Sequence, residues 1–190
     1  MTLDKDTNYI VSGIERSGTS MLMQILKAAN LDCAFDHSRK PDKSNPKGYF
    51  ELEGGKIINK LIGKSFPIDS YKGKIIKITA YGLKFLPPGK YKIIYSERNI
   101  EEILDSMEKM AKIKDDEREE TKKAFLALNN MIKNQMQERE DMQTLFVNYN
   151  QILNNPSENI KKIHQYLNMP EKTLTSMIGA VDKNLYRNRK

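Results

Sequence analysis

The feature that most constrains this chain is a short apolar run that leads through a glycine-bounded loop into a helix. Residues 8–13 (NYIVSG) are apolar and β-branched at their centre, which predicts a buried strand. The loop 13–20 (GIERSGTS) follows it, and residues 21–30 (MLMQILKAAN) have a helical pattern. A strand that enters a helix in this way is typical of α/β proteins, and it aims backbone N–H groups and a helix N-terminus at one point.

Strands and helices continue to alternate along the rest of the chain, after a polar, turn-rich excursion at residues 31–48. Further strands are predicted at 74–79, 91–96 and 145–149, and helices at 52–63, 99–113, 116–140, 157–168 and 171–179. The helix at 116–140 should pack on the core through an apolar stripe of Phe125, Leu128, Met131, Ile132 and Met136. This alternation predicts an α/β fold whose parallel sheet binds ligands at the carboxyl ends of its strands.

Composition narrows the class of protein. The 190 residues carry a net charge of +7, but the cations are spread along the chain, and no recognition-helix or zinc signature predicts a nucleic-acid partner. No apolar run approaches the roughly 18 residues of a membrane span, and the N-terminus lacks the apolar core of a signal peptide. A single cysteine, Cys33, fits a reducing compartment. We expect one cytoplasmic domain over residues 1–190 with no metal site.

The chemistry of the loop 13–20 suits an anion. Gly18 allows close backbone approach, the hydroxyls of Ser17, Thr19 and Ser20 add donors, and Arg16 adds a permanent charge. In the nucleotide triphosphatase loop GxxxxGK[ST], the lysine handles the β- and γ-phosphates. Here the glycine spacing fits but the lysine position is Thr19, which argues for an anion other than ATP-Mg. A P-loop kinase or hydrolase, and an ordinary strand-to-helix turn, stay open as alternatives.

The segment IERSGTSML resembles the 5′-phosphosulfate loop of the sulfotransferases, which use 3′-phosphoadenosine 5′-phosphosulfate (PAPS) as donor. That loop has a Lys or Arg followed by Ser-Gly-Thr-[Ser/Thr]. The resemblance implies a three-layer, P-loop-like fold with a central parallel sheet of about four or five strands flanked by helices. It also implies that the 5′-phosphosulfate is held by a set of five residues: Arg16, Ser17, Gly18, Thr19 and Ser20.

A second motif makes the resemblance more specific. KIIYSERNIEEILDS is similar to the family's 3′-phosphate segment, a strand ending in Arg-Asn-Pro and a helix with a serine eight residues after the arginine. Arg98 and Ser106 match that pair, and Ile100 replaces the proline. Residues 147–170 and 45–62 resemble further family segments, so the likeness runs from about residue 8 to residue 170.

The resemblance to this family implies a reaction and a set of catalytic groups. A sulfuryl group would pass in line from PAPS to a hydroxyl or amine of an unidentified acceptor, leaving adenosine 3′,5′-bisphosphate. Many cytosolic members use a histidine two residues after a lysine as base, but here Lys77 is followed by Ile78 and Thr79. Glu51 is the best substitute as base, and Arg16 would stabilise the developing charge.

Several roles remain open at this level. His37 is a second candidate for the base, Lys77 could assist Arg16, and Glu51 could instead be a solvated or capping residue. The C-terminal Arg187 or Arg189 could fold back onto the nucleotide, although a frayed basic tail is the default. Loss of the family histidine also keeps open a catalytically inactive nucleotide-binding module of the same fold.

Overall fold

A computed structural model describes residues 3–185 of the chain, in which four strands form one parallel sheet. The strands are β1 (Asn8–Gly13), β2 (Ile75–Lys77), β3 (Tyr91–Glu97) and β4 (Met142–Asn148). Their order across the sheet is β2-β1-β3-β4, so β1 lies between β2 and β3. The loop after β1 therefore lies beside the ends of two neighbouring strands.

Helices connect the strands. They are α1 (Thr19–Ala28), α2 (Ile57–Ile62), α3 (Ala80–Leu83), α4 (Ile100–Ala111), α5 (Arg118–Glu138), α6 (Tyr149–Asn154), α7 (Pro156–Tyr166) and α8 (Leu174–Gly179). Short 3-10 helices occupy Glu53–Gly55, Ile68–Tyr71, Glu171–Thr173 and Lys183–Leu185. Along residues 3–185, we find no helix with both the length and the apolar character that crossing a membrane requires.

The alternation of side chains along the strands divides the apolar core into two parts. Ile10 and Ile93 face one side of the sheet, where they pack with residues of α2, α3, α4 and α5. Val11 and Ile94 face the other side and pack with residues of α1, α6, α7 and α8. Because strand residues i and i+1 point to opposite faces, a sheet covered on both sides needs apolar residues at consecutive positions. The three-layer α/β fold with a four-stranded parallel sheet is confirmed.

Three predicted elements differ from the structure. β2 is shorter than residues 74–79, because Thr79 already precedes α3 in an extended conformation. The helix predicted at 52–63 begins only at Ile57, since Glu53 and the two glycines after it have positive φ angles. Residue 149 was predicted to end a strand; instead Asn148 caps α6, and its side-chain oxygen accepts from the N–H of Gln151 at 3.0 Å.

The apolar stripe of α5 is narrower than predicted. Ile132 and Met136 are buried, and Phe125 and Leu128 pack partly against the core. The prediction for Met131 was wrong, because its side chain is 42% exposed. A helix that covers one edge of a small sheet buries only its central stripe, so a residue one position to the side meets solvent.

Truncation of Ile93 should show how much the core on one face contributes to stability. Ile93 is fully buried in the central strand β3, so Ile93→Ala should lower the free energy of unfolding by about 2–5 kcal/mol. Ile113→Ala is the matched control, because Ile113 is 70% exposed, and it should change the value by less than about 0.5 kcal/mol. Urea titrations followed by circular dichroism measure both, and equal losses would contradict the assignment of the core.

Candidate active site

Two glycines let the loop after β1 pass close to its neighbours. Gly13 has a φ of 152°, and a Cβ there would lie 2.6 Å from the carbonyl oxygen of Ser96 and would clash with Ser17 Oγ. Gly18 has a φ of 105° and is the N-cap of α1, and a Cβ there would clash with the ring of Tyr149. Both positions therefore require glycine for conformational and steric reasons.

Ser17 has a side chain that is buried inside this loop. The residue is fully buried, and its Oγ has no hydrogen-bond partner within residues 3–185. Its carbonyl oxygen accepts from Ser96 Oγ at 2.7 Å, which joins the loop to the end of β3. A buried hydroxyl without a partner costs free energy.

The side chain of Arg16 links the loop to the second motif. Arg16 has a φ of 66°, and its Nε donates to Ser106 Oγ on α4 at 2.8 Å. Its Nη2 donates to the carbonyl oxygen of Ser44 at 3.2 Å. Arg16 and Ser106, which the sequence assigned to the two ends of the nucleotide, are thus in direct contact.

Arg98 follows β3 and also reaches the loop. Its Nη1 donates to the carbonyl oxygen of Arg16 at 3.1 Å, and its Nε donates to Glu102 Oε2 at 2.8 Å. The guanidinium lies over the ring of Tyr149 with its Cζ 4.4 Å from the ring centroid. Arg98 is therefore held from three directions, and its forked donors suit a phosphate group.

A buried ion pair lies on the other side of the loop. Lys77 Nζ is 2.9 Å from Glu51 Oε1, and the two side chains are 5% and 11% exposed. Lys77 Nζ also donates to the carbonyl oxygen of Tyr49 at 2.6 Å and to Ser20 Oγ at 3.3 Å. Arg39 Nη1 contacts the second carboxylate oxygen of Glu51 at 3.1 Å. Burial lowers the pKa of Lys77 below its usual value, and the charge of Glu51 opposes this effect.

These groups open on one cavity of about 470 Å³ at the carboxyl ends of β1, β2 and β3. The predicted site residues that line it are Arg16, Gly18, Thr19, Ser20, Glu51, Arg98 and Ser106. Lys77 and Thr79 line it as well, whereas Ser17 is buried behind the loop. The sequence therefore identified residues from four separate segments that the fold brings to one place.

The two histidines lie elsewhere. His37 is exposed, stands against the ring of Phe35 with the ring centroids 5.8 Å apart, and is not among the residues that line the cavity. His164 is buried, with its Nε2 3.0 Å from the carbonyl oxygen of Pro170, and so has a structural role. The tail residues Arg187 and Arg189 lie outside the described residues. Within residues 3–185, no group of three or more His, Cys, Asp or Glu residues is arranged to hold a metal ion.

Several residues of the cavity had no signal that sequence reasoning could use. Arg39 and Asn45 lie in the polar excursion, where Asn45 Nδ2 donates to Ser20 Oγ at 2.8 Å and Arg39 covers the ring of Tyr49. Lys109 lines the cavity from α4. Tyr149 was inside a segment that resembled the family, but its contact with Arg98 depends on the pairing of β3 with β4.

Comparison with known proteins identifies the family. The sulfotransferase domain model matches residues 6–190, and the chain belongs to this family. The predicted resemblance is confirmed, and this match favours sulfuryl transfer over the alternative of a P-loop kinase or hydrolase. No curated protein sequence matches the chain significantly.

Solved structures share the fold. Retinol dehydratase in complex with androsterone and inactive cofactor PAP has 16% identity and a TM-score of 0.58, over 98% of this chain and 67% of that one. A mouse sulfotransferase complexed with PAP has 14% identity and a TM-score of 0.55, over 99% and 68%. The sulfotransferase domain of the Synechococcus PCC 7002 olefin synthase has 11% identity and a TM-score of 0.56, over 97% and 83%.

Replacement of Lys77 tests the buried ion pair through the pH dependence of stability. Burial lowers the pKa of Lys77 below the usual value of 10.5, so the folded chain binds fewer protons than the unfolded chain between the lowered pKa and 10.5. As the pH rises through this window, the native chain should gain stability relative to Lys77→Met. Denaturant titrations of both proteins between about pH 7 and about pH 10 measure this difference. A difference that does not change with pH would contradict the burial of a charged lysine.

Proposed function

We propose that residues 1–190 act as a single domain that transfers the sulfuryl group of PAPS to a hydroxyl or amine of an acceptor by in-line displacement. The observation that carries the proposal is the shared cavity, into which the loop 13–20, the Arg98–Ser106 motif and the Lys77–Glu51 pair all open. An anion with two separate phosphate groups needs two cationic elements at one site, and the cavity has both.

The residues present fit PAPS. When bound, PAPS supplies an activated sulfuryl group and leaves as adenosine 3′,5′-bisphosphate. Backbone N–H groups of the loop and the hydroxyls of Thr19 and Ser20 would hold the 5′-phosphosulfate. The sequence assigned Ser17 to the same set, but its Oγ is buried and the residue does not line the cavity, so its role is to join the loop to β3 through its carbonyl oxygen. Arg98 and Ser106 would hold the 3′-phosphate, and two of the structural relatives were crystallised with PAP.

The cavity also contains candidates for the general base and for the groups that stabilise negative charge during transfer. Glu51 is our candidate for the general base, because its carboxylate is the acidic group among the lining residues that pairs with Lys77. One of its oxygens must exchange an ion-pair partner for the acceptor, and Arg39 is the more exposed partner at 38%. Arg16 and Lys77 would stabilise the negative charge that develops during transfer. Thr79, at the position of the family histidine, lines the cavity but is no base.

The cellular setting is part of the same proposal. A cytoplasmic location is supported by Cys33, the lone cysteine of the sequence, which is a free thiol in the structure. The partners are the nucleotide donor and an acceptor, and the spread of the +7 charge along the sequence does not indicate nucleic acid.

Nucleotide selectivity tests the donor. The chain should bind adenosine 3′,5′-bisphosphate about ten- to a hundredfold more tightly than adenosine 5′-monophosphate, because a second phosphate adds charge-assisted hydrogen bonds. Calorimetric titration measures both, with ATP-Mg as a third nucleotide. Arg98→Ala should abolish the preference, whereas Lys162→Ala, which removes a surface cation paired with Glu158, should retain it. Tighter binding of ATP-Mg would refute the proposed donor.

Replacement of Glu51 tests the base. Glu51→Gln should lower kcat at least about a hundredfold, because a glutamine amide cannot take up the proton of the attacking hydroxyl or amine. A radiolabelled sulfate-transfer assay over a panel of acceptors measures this loss. Glu53→Gln is the matched control, since Glu53 is exposed and paired with Lys60, and it should keep full activity. Binding of adenosine 3′,5′-bisphosphate should survive in both variants. Full activity of Glu51→Gln would show that another group is the base, and a native chain without transfer activity would favour a binding module.

A further inference from the structure

A buried carboxylate stands directly behind Arg98. Glu102 is 1% exposed, although it is one turn into α4, where the flanking Glu101 forms surface ion pairs with Arg118 and Lys122. Carboxylates are seldom fully buried unless they are paired, because removing their charge from water is costly. The assignments made above leave Glu102 without a role.

Both oxygens of Glu102 accept hydrogen bonds. Oε2 accepts from Arg98 Nε at 2.8 Å, and Oε1 accepts from Asn150 Nδ2 at 2.7 Å. The Oδ1 of Asn150 accepts in turn from the backbone N–H of Asn99 at 3.3 Å. Tyr149 packs on the face of the Arg98 guanidinium. The Nε edge and one face of the arginine are thus fixed by the protein.

The sheet brings these residues together. β3 and β4 are parallel neighbours with Glu97 opposite Asn148, so Arg98 and Tyr149 leave the sheet at the same edge. Glu102 then reaches Arg98 from one helical turn along α4. The contact is therefore built into the junction of two strands with two helices.

We propose that Glu102 and Asn150 are positioning residues that hold the Arg98 guanidinium toward the 3′-phosphate and so determine the preference for a 3′-phosphorylated nucleotide. The inference rests on the proposed function. An arginine side chain has many rotamers, and fixing it before the ligand binds removes an entropic cost from binding. A carboxylate beside an anion site also repels the anion. The gain in binding from an oriented Arg98 must therefore exceed the loss that this repulsion causes.

Because Glu102 is charged, the direction in which Glu102→Gln changes the affinity for adenosine 3′,5′-bisphosphate distinguishes two roles for this residue. Glu102→Gln removes a negative charge next to the phosphate site, so a purely electrostatic role predicts tighter binding of adenosine 3′,5′-bisphosphate. A positioning role predicts the reverse, with binding about ten- to a hundredfold weaker. Adenosine 5′-monophosphate lacks the 3′-phosphate, and its affinity should stay within about twofold of the native value.

Calorimetric titration of both nucleotides into the full chain measures these affinities, and circular dichroism checks the fold. Glu97→Gln is the matched control, because Glu97 precedes Arg98 and pairs with Lys133 instead, and it should preserve the preference. Asn150→Ala leaves the Arg98–Glu102 ion pair in place but removes its second support, and it should weaken the preference in the same direction. If Glu102→Gln fails to fold, the affinities of Asn150→Ala for the two nucleotides test the proposal instead.

Two failures have different meanings. A native chain that does not distinguish the two nucleotides would refute the proposed function. A native preference that survives unchanged in both variants, or that increases in Glu102→Gln, would overturn the positioning role alone.

Discussion

The contact between the loop after β1 and the end of β3 brings the two halves of the proposed nucleotide site together. Ser96 Oγ donates to the carbonyl oxygen of Ser17, and Arg98 donates to that of Arg16. Because β1 and β3 are parallel neighbours, both segments leave the sheet at one edge, and the glycine at position 13 lets them meet. Two motifs that are far apart in sequence, and for which we propose anion binding, thereby become one surface.

On the opposite side of the loop, the ion pair of Lys77 with Glu51 places two buried charges at the candidate active site. A lysine whose pKa is lowered by burial is held in its charged form at a cost in folding free energy, and Glu51 offsets part of that cost. Charges that are poorly solvated before the reaction act strongly on charge that develops during it. We therefore propose that the pair is retained for the transfer reaction and not for stability.

Much of the fold could be predicted, because short runs with β-branched centres such as residues 8–13 and 91–96, bounded by turn residues, favour a buried strand. The start of α2 could not be predicted, since it depends on positive φ angles at residues 53–55. The sequence also predicted Arg98 and Ser106, which line the cavity, but not the contact of Arg16 with Ser106. Glu102 carried no signal, because a glutamate among other glutamates on a helix reads as a solvated residue until tertiary packing buries it.

Glu51 and its neighbours stand on a different part of the fold from the rest of the predicted site. Arg98 and Ser106 stand at the end of β3 and on α4, whereas Tyr49 and Glu51 come from irregular chain that Lys77 ties to the sheet and Asn45 ties to the loop. Irregular segments of this kind tolerate substitutions and insertions better than strands do. Under the proposed function, the part of the site that faces the acceptor can therefore vary in sequence without altering the strands and the glycine loop that face the donor.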